Sequence, residues 1–302
     1  LISIFKTQRE AQDSFEKLAE KSIAYEFVKA NRPYIPVSFE DVETYANNLK
    51  SHYFDYVDFN NKTLQSSSFL NERMLIYIYG TTTDSLGEVA NYIKNIYGFY
   101  NKYANKAPDT FKRVLLVDAW QQMIDLNFES VANYISDTYL IPLAKELDDT
   151  ELINALTEFK NTSVGNKAPD FSFGLESTDK NLPKTLNELD NAERYIIVFW
   201  SSTCSHCLIE IPKLEAFIKP IDKEKLRVIA VGLEDDDVLW KTKIKEFPDF
   251  INVLGLGKWD NAIGNNYDVS STPTYFVLDA DKNIIAKPET IEALKLFFED
   301  KL

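Results

Sequence analysis

The stretch Tyr195-Ile196-Ile197-Val198-Phe199-Trp200 runs through Ser201-Ser202-Thr203 into Cys204-Ser205-His206-Cys207. A short, unbroken run of β-branched and aromatic residues reads as a buried strand. The only two cysteines of the chain follow it directly, where the strand hands over to a helix. Two thiols at this spacing can close a small disulfide and reopen it, and a helix N-terminus stabilises a thiolate. The expectation is a dithiol redox centre. Cys204, at the helix start, is the attacking thiol, and Cys207, one turn in and shielded, is the resolving one. His206, when protonated, adds a positive charge beside the Cys204 thiolate and makes the disulfide more oxidising. Two other readings of the pair stay open: half of a zinc site, for which only His52 and His206 remain as histidine ligands, or two inert core thiols.

Around this segment the second half of the chain alternates strand with helix. Strands are expected at Asp170–Gly174, Arg194–Trp200, Leu226–Leu233, Thr274–Asp279 and Asn283–Lys287. Helices are expected at Cys207–Ile218, Asp237–Phe247, Asp260–Tyr267 and Thr290–Lys301. Such alternation, closed by a hairpin and a last helix, implies an α/β sandwich around a mixed sheet.

The first half reads differently. Asp13–Ala30 is amphipathic and stops at Asn31-Arg32-Pro33, and Ser38-Phe39-Glu40-Asp41 opens a helix whose face carries Val42, Tyr45, Ala46 and Leu49. Further helices are expected at Phe69–Tyr79, Ser85–Tyr103, Asp109–Met123, Phe128–Tyr139 and Asp148–Lys160. With no fixed-period repeat, a solenoid is disfavoured. At 302 residues two domains are the default, and the polar joint Asn161-Thr162-Ser163-Val164-Gly165-Asn166 divides them into 1–162 and 167–302.

The net charge of −14 argues against nucleic acid and against an anionic membrane surface as partners. No stretch approaches the roughly 18–20 apolar residues that span a bilayer. The chain opens at Leu1 without a basic-then-apolar leader, which is read as a mature or trimmed chain whose signal or lipid-anchor segment has been removed.

Three segments, in order, carry a family resemblance. Phe199-Trp200-Ser201-Ser202-Thr203-Cys204-Ser205-His206-Cys207-Leu208-Ile209-Glu210-Ile211-Pro212 resembles the active-site segment of TlpA/ResA-like thiol–disulfide oxidoreductases. Lys167-Ala168-Pro169-Asp170-Phe171 is similar to the opening of that family's domain, and Ser271-Thr272-Pro273-Thr274-Tyr275-Phe276-Val277-Leu278-Asp279 to its cis-proline loop and following strand. The resemblance covers roughly residues 165–302 and implies a thioredoxin-like domain after an all-α N-terminal domain. It implies that Thr272, Pro273 and Trp200 contact substrate, that Pro212 kinks the active-site helix, and that Glu210, one turn beyond Cys207, influences the thiols' proton transfers. It also implies protein thiols and disulfides as substrates, a membrane or periplasmic redox partner, a periplasmic or cell-envelope location, and neither organic cofactor nor metal. The buried acid that many thioredoxins place one residue before Phe-Trp is absent, since Val198 stands there. Thr203 replaces the family's common Trp, and Ser205-His206 its Gly-Pro or Glu-Pro; strongly oxidising bacterial disulfide donors have a similar Cys-x-His-Cys loop with Pro at the Ser205 position.

His52-Tyr53-Phe54-Asp55-Tyr56-Val57-Asp58-Phe59, with Leu64 and Ser68-Phe69-Leu70, resembles a helical domain of unknown function that precedes TlpA-like domains in Bacteroidetes proteins. It lends no chemistry, and His52 is expected to pack or cap. Three rival functions are weighed. A peroxiredoxin lacks its Pro-x-x-x-Thr-x-x-Cys setting here. A copper-delivery protein lacks Cys-x-x-x-Cys and a distant histidine. The alternative of another class is a binding module, in which the helical domain captures a protein or glycan and the second domain is a scaffold.

Overall fold

The computed structural model describes residues 2–80, 85–174 and 183–299. The chain forms two compact units, Leu1–Ile153 and Asn154–Leu302. They divide within a helix, Thr150–Thr162, rather than in the polar stretch after it.

The first unit is helical. In chain order it holds α1 (Ile2–Ala19), α2 (Ala24–Ala30), α3 (Val42–Ser51), α4 (Lys62–Gln65), α5 (Phe69–Gly80), α6 (Glu88–Lys102), α7 (Asp109–Asp125), α8 (Glu129–Ile135) and α9 (Ile141–Glu146), and α10 (Thr150–Thr162) carries the chain onward. Leu70, Met74 and Ile78 of α5, Ile96 and Phe99 of α6, Leu115 and Met123 of α7 and Val131 and Ile135 of α8 are fully buried. The expected single helix over Asp13–Ala30 is corrected: it is two helices broken at residues 20–23, and Phe15, Leu18 and Ile23 are exposed. Polar links fasten this corner instead. Arg32 binds Asp13 and Glu16, and Gln12 donates to the Val28 carbonyl. The start expected over Ser38–Asp41 falls at its last residue, where the Asp41 carboxylate accepts the Thr44 N–H at 2.7 Å. The helix expected at Phe128–Tyr139 runs on as a π turn, Ser136–Leu140, into α9. Pro142 is tolerated there because it falls in the first turn of α9, where an N–H is not needed.

The second unit is built on one five-stranded sheet. β1 (Arg194–Trp200), β2 (Leu226–Glu234) and β3 (Ile251–Leu256) are parallel, and β4 (Thr274–Asp279) and β5 (Ile284–Ala286) antiparallel, in the order β3-β2-β1-β4-β5. α11 (Cys207–Ile218) follows β1, α12 (Val238–Lys243) follows β2, α13 (Ala262–Asn266) precedes β4, and α14 (Ile291–Phe298) closes the described chain; the expected extension of that helix to Lys301 lies outside the described residues. β1 is buried on both faces, which is why its sequence does not alternate. Ile196, Val198 and Trp200 face Leu214, Ile218, Leu294 and Phe298 of α11 and α14. Tyr195, Ile197 and Phe199 face Phe171, Phe173, Leu186 and Tyr267 on the other side.

One strand expectation is corrected, and one strand was not expected. Asp170–Gly174 forms no ladder, only a single bridge between Ser172 and Thr185, and its Phe171 and Phe173 serve as core plugs. β3 carries no sequence expectation because Asn252 and Gly255 interrupt a short apolar run; the Asn252 amide instead donates to the Phe247 and Phe250 carbonyls and ties the strand to the preceding turn.

Trp240 of α12 is fully buried against Gly232 of β2. A Cβ at Gly232 would lie 2.4 Å from the Trp240 indole nitrogen. Gly232→Ala is therefore expected to destabilise the fold by about 1–3 kcal/mol through overpacking. Chemical denaturation should show a lower midpoint with an unchanged slope.

Candidate active site

β1 ends at Trp200, and a short turn brings Cys204 to the threshold of α11. Cys204 is partly exposed and Cys207 fully buried, and both thiols are free. The Cys207 N–H donates to Cys204 Sγ at 3.2 Å, so the open first turn of the helix faces the sulfur. On the other side Cys204 Sγ lies 3.5 Å from the Thr272 carbonyl oxygen, to which its thiol proton is donated. Burial alone would raise the Cys204 thiol. Hydrogen bonds from the Cys207 thiol, from the Thr272 side chain and from the N–H groups of Cys207 and His206 outweigh it and hold the thiol below the ordinary cysteine value. Cys207 goes the opposite way: burial, followed by the hydrogen bond with Cys204, pushes it up to about 12. Cys204 is thus the more acidic thiol of the pair and Cys207 the less acidic, shielded one.

The Thr272–Pro273 peptide is cis, and both residues are half-buried beside the dithiol. His206 caps α11 with backbone only and exposes its ring. Its N–H is among the groups that hold the Cys204 thiol low. Trp200 is corrected as a substrate contact. It is completely buried, packed edge-on against Phe247 at 5.9 Å, and forms the floor beneath the cysteines. Pro212 lies inside α11, as expected.

Glu210 is buried, one turn past Cys207. Its carboxylate accepts the Ile291 N–H at 3.0 Å, the Tyr275 hydroxyl at 3.4 Å and Lys213 Nζ at 3.3 Å. It thus joins the active-site helix to the first turn of α14. Tyr275 is buried beside it, and burial, Glu210 and the nearby Cys207 all push its hydroxyl well above the ordinary tyrosine value. Glu210→Ala is expected to strand the Ile291 N–H and the Tyr275 hydroxyl, costing about 1–3 kcal/mol for each orphaned group. Urea unfolding of the variant checks it.

A second buried carboxylate, which the sequence reading did not single out, lies under the same turn. Glu234, the last residue of β2, accepts the Ser202 N–H at 2.5 Å, the Ser202 hydroxyl at 3.0 Å and the Ser201 hydroxyl at 3.2 Å. The signal available for it was its place at the end of a largely apolar strand that pairs with the strand leading to the cysteines. His52 lies in the first unit, stacked on Tyr34 at 4.8 Å and paired with Asp55, in a packing role.

No group of three or more His, Cys, Asp or Glu side chains fit to hold a metal exists among the described residues, and none of the helices there is long and apolar enough to cross a membrane. Residues 163–292 match the Redoxin family. This match falls within the second unit, which is similar to thioredoxin-like proteins and to ResA-like thiol–disulfide oxidoreductases, and the protein is an oxidoreductase. Its relatives include a thioredoxin-like protein of Bacillus subtilis, YneN, 29% identical over 141 residues, 46% of this chain and 78% of that one. Thiol-disulfide oxidoreductase ResA of Geobacillus thermodenitrificans is 25% identical over 167 residues, 53% of this chain and 90% of that one. A thioredoxin-like protein from Bacteroides caccae, solved by crystallography, is 19% identical and covers 89% of this chain and 98% of its own, with a TM-score of 0.44.

Proposed function

We propose that the protein exchanges disulfides with protein substrates through Cys204 and Cys207. The observation that carries this reading is the opposed pair of thiols beside the cis Thr272–Pro273 peptide, one held low by hydrogen bonds from Cys207, Thr272 and the helix-end N–H groups and the other pushed up by burial. In the reducing direction the Cys204 thiolate attacks a substrate disulfide. A bond forms between Cys204 Sγ and one substrate sulfur, and the other substrate sulfur leaves as a thiolate and takes up a proton. Cys207 then loses its proton and attacks Cys204 Sγ, releasing the second substrate thiolate and leaving the Cys204–Cys207 disulfide. Two electrons pass from the protein dithiol to the substrate, and the reverse sequence donates a disulfide.

The Thr272 carbonyl beside Cys204 and the adjoining Pro273 are the groups that meet the substrate backbone, and the Glu210 carboxylate, linked through Tyr275 toward Cys207, takes part in that thiol's proton transfer. Cell-envelope work with a membrane or periplasmic redox partner belongs to the same proposal, supported by the resemblance of residues 165–302. A peptide pair joined by a disulfide and carrying a fluorophore and quencher tests the chemistry. The dithiol protein should separate the pair with one equivalent oxidised per equivalent cleaved, and a rate no faster than that of a free thiol would refute the proposal.

A further inference from the structure

Glu234 is a buried carboxylate, 2% exposed, and among the described residues no cation stands at ion-pair distance from it. Lys258, the base whose charge reaches it, is itself engaged with Asp235 at 3.1 Å. An unpaired buried carboxylate is a costly group to keep, since burial removes its hydration with no counter-charge in return. All of its hydrogen bonds go to one place, the N–H and hydroxyl of Ser202 and the hydroxyl of Ser201. Ser201 is in turn the anchor of the cysteine turn. Its carbonyl accepts the Cys204 N–H at 3.1 Å, and its hydroxyl lies 3.0 Å from that of Thr203 and accepts the Thr203 N–H at 3.3 Å. A backbone group of Ser201 also holds the Cys207 sulfur. From Glu234 a continuous set of contacts therefore leads to both thiols.

We propose that Glu234 is a positioning residue of the dithiol: from the neighbouring strand it clamps Ser201 and Ser202, and the clamp aligns the turn so that the helix-end N–H groups point at Cys204 Sγ. The proposal rests on the thiol-exchange reading for its purpose, but its geometry stands on the turn alone. Val198 leaves β1 without an acid under the cysteines; β2 supplies one from the side, bound to the backbone of the turn.

The test is the pH dependence of Cys204 alkylation by iodoacetamide, followed in the full chain by mass, with folding checked by circular dichroism. Cys207 is too buried and too weakly acidic to contribute. Glu234→Ala removes all three contacts, and the midpoint should rise by about one pH unit, a tenfold loss of thiolate below it. Glu234→Gln keeps an oxygen for the Ser202 N–H and an amide for the serine hydroxyls, so its midpoint should move by less than half as much. If Glu234→Ala fails to fold, the double variant Ser201→Ala/Ser202→Ala should raise the midpoint instead. An unmoved midpoint in folded Glu234→Ala, or in the folded serine variant, would overturn the proposal. So would a Gln variant shifted as far as Ala, because the charge rather than the clamp would then be responsible. The midpoints are read whether or not disulfides turn over, so a wild-type protein without exchange activity counts against the proposed function and not against Glu234.

Discussion

Cys204→Ser is expected to bring disulfide exchange down to the background of the free reagents. The Cys204 sulfur is the one partly exposed thiol of the pair, and the Cys207 N–H aims at it from 3.2 Å. Serine keeps the shape but is not ionised at neutral pH, and a hydroxyl does not form a bond with a substrate sulfur under these conditions. Cys207 cannot substitute for it. Its thiol is fully buried under α11 and raised to about 12, so at neutral pH almost none of it is thiolate and no substrate disulfide reaches it. Steady-state cleavage of the disulfide-linked peptide pair measures the loss. Residual turnover above a few per cent of wild type would show a second nucleophile.

Cys207→Ser is expected to act differently, stopping the reaction halfway. The first attack needs only Cys204, so the mixed disulfide still forms. The second needs the buried thiol to give up its proton and strike Cys204 Sγ, and serine cannot do so. Covalent Cys204–substrate adducts should then accumulate to nearly one per chain, seen as a mass increase that a small thiol reverses. Absence of any adduct would mean that Cys204 does not initiate exchange.

The site was largely legible in the chain because its parts are local. Strand, turn, dithiol and helix start follow one another between Arg194 and Ile218, and β1 and α11 begin and end where that pattern put them. Pro273 declared itself by its neighbours and by the strand after it. What could not be read depended on contacts far apart in sequence. Trp200 looks the same in a strand whether its ring faces solvent or core, and only the packing of α11 and Phe247 over it decides for the core. Glu234 reaches Ser202 across the β1–β2 pairing, where Trp200 stands opposite Gly232, and no local pattern announces a carboxylate that must turn inward at a strand end. The same holds for Glu210, whose place on the helix was legible while its grip on Ile291, from a distant helix, was not. In the first unit, apolar spacing over residues 13–30 suggested one buried face, but polar links to Arg32 and Pro36 turned out to hold that corner.

The most direct test of a reversible dithiol is equilibration of the wild-type protein against glutathione at graded ratios, with trapped thiols counted by mass. A reversible Cys204–Cys207 pair should give a single two-electron transition in which both thiols are gained and lost together, at a potential between the roughly −270 mV of thioredoxin and the roughly −120 mV of strong disulfide donors. A value near the lower end marks a reductase and one near the upper end a donor of disulfides. Two thiols that stay reduced at every ratio, or that react independently with glutathione without pairing, would contradict it.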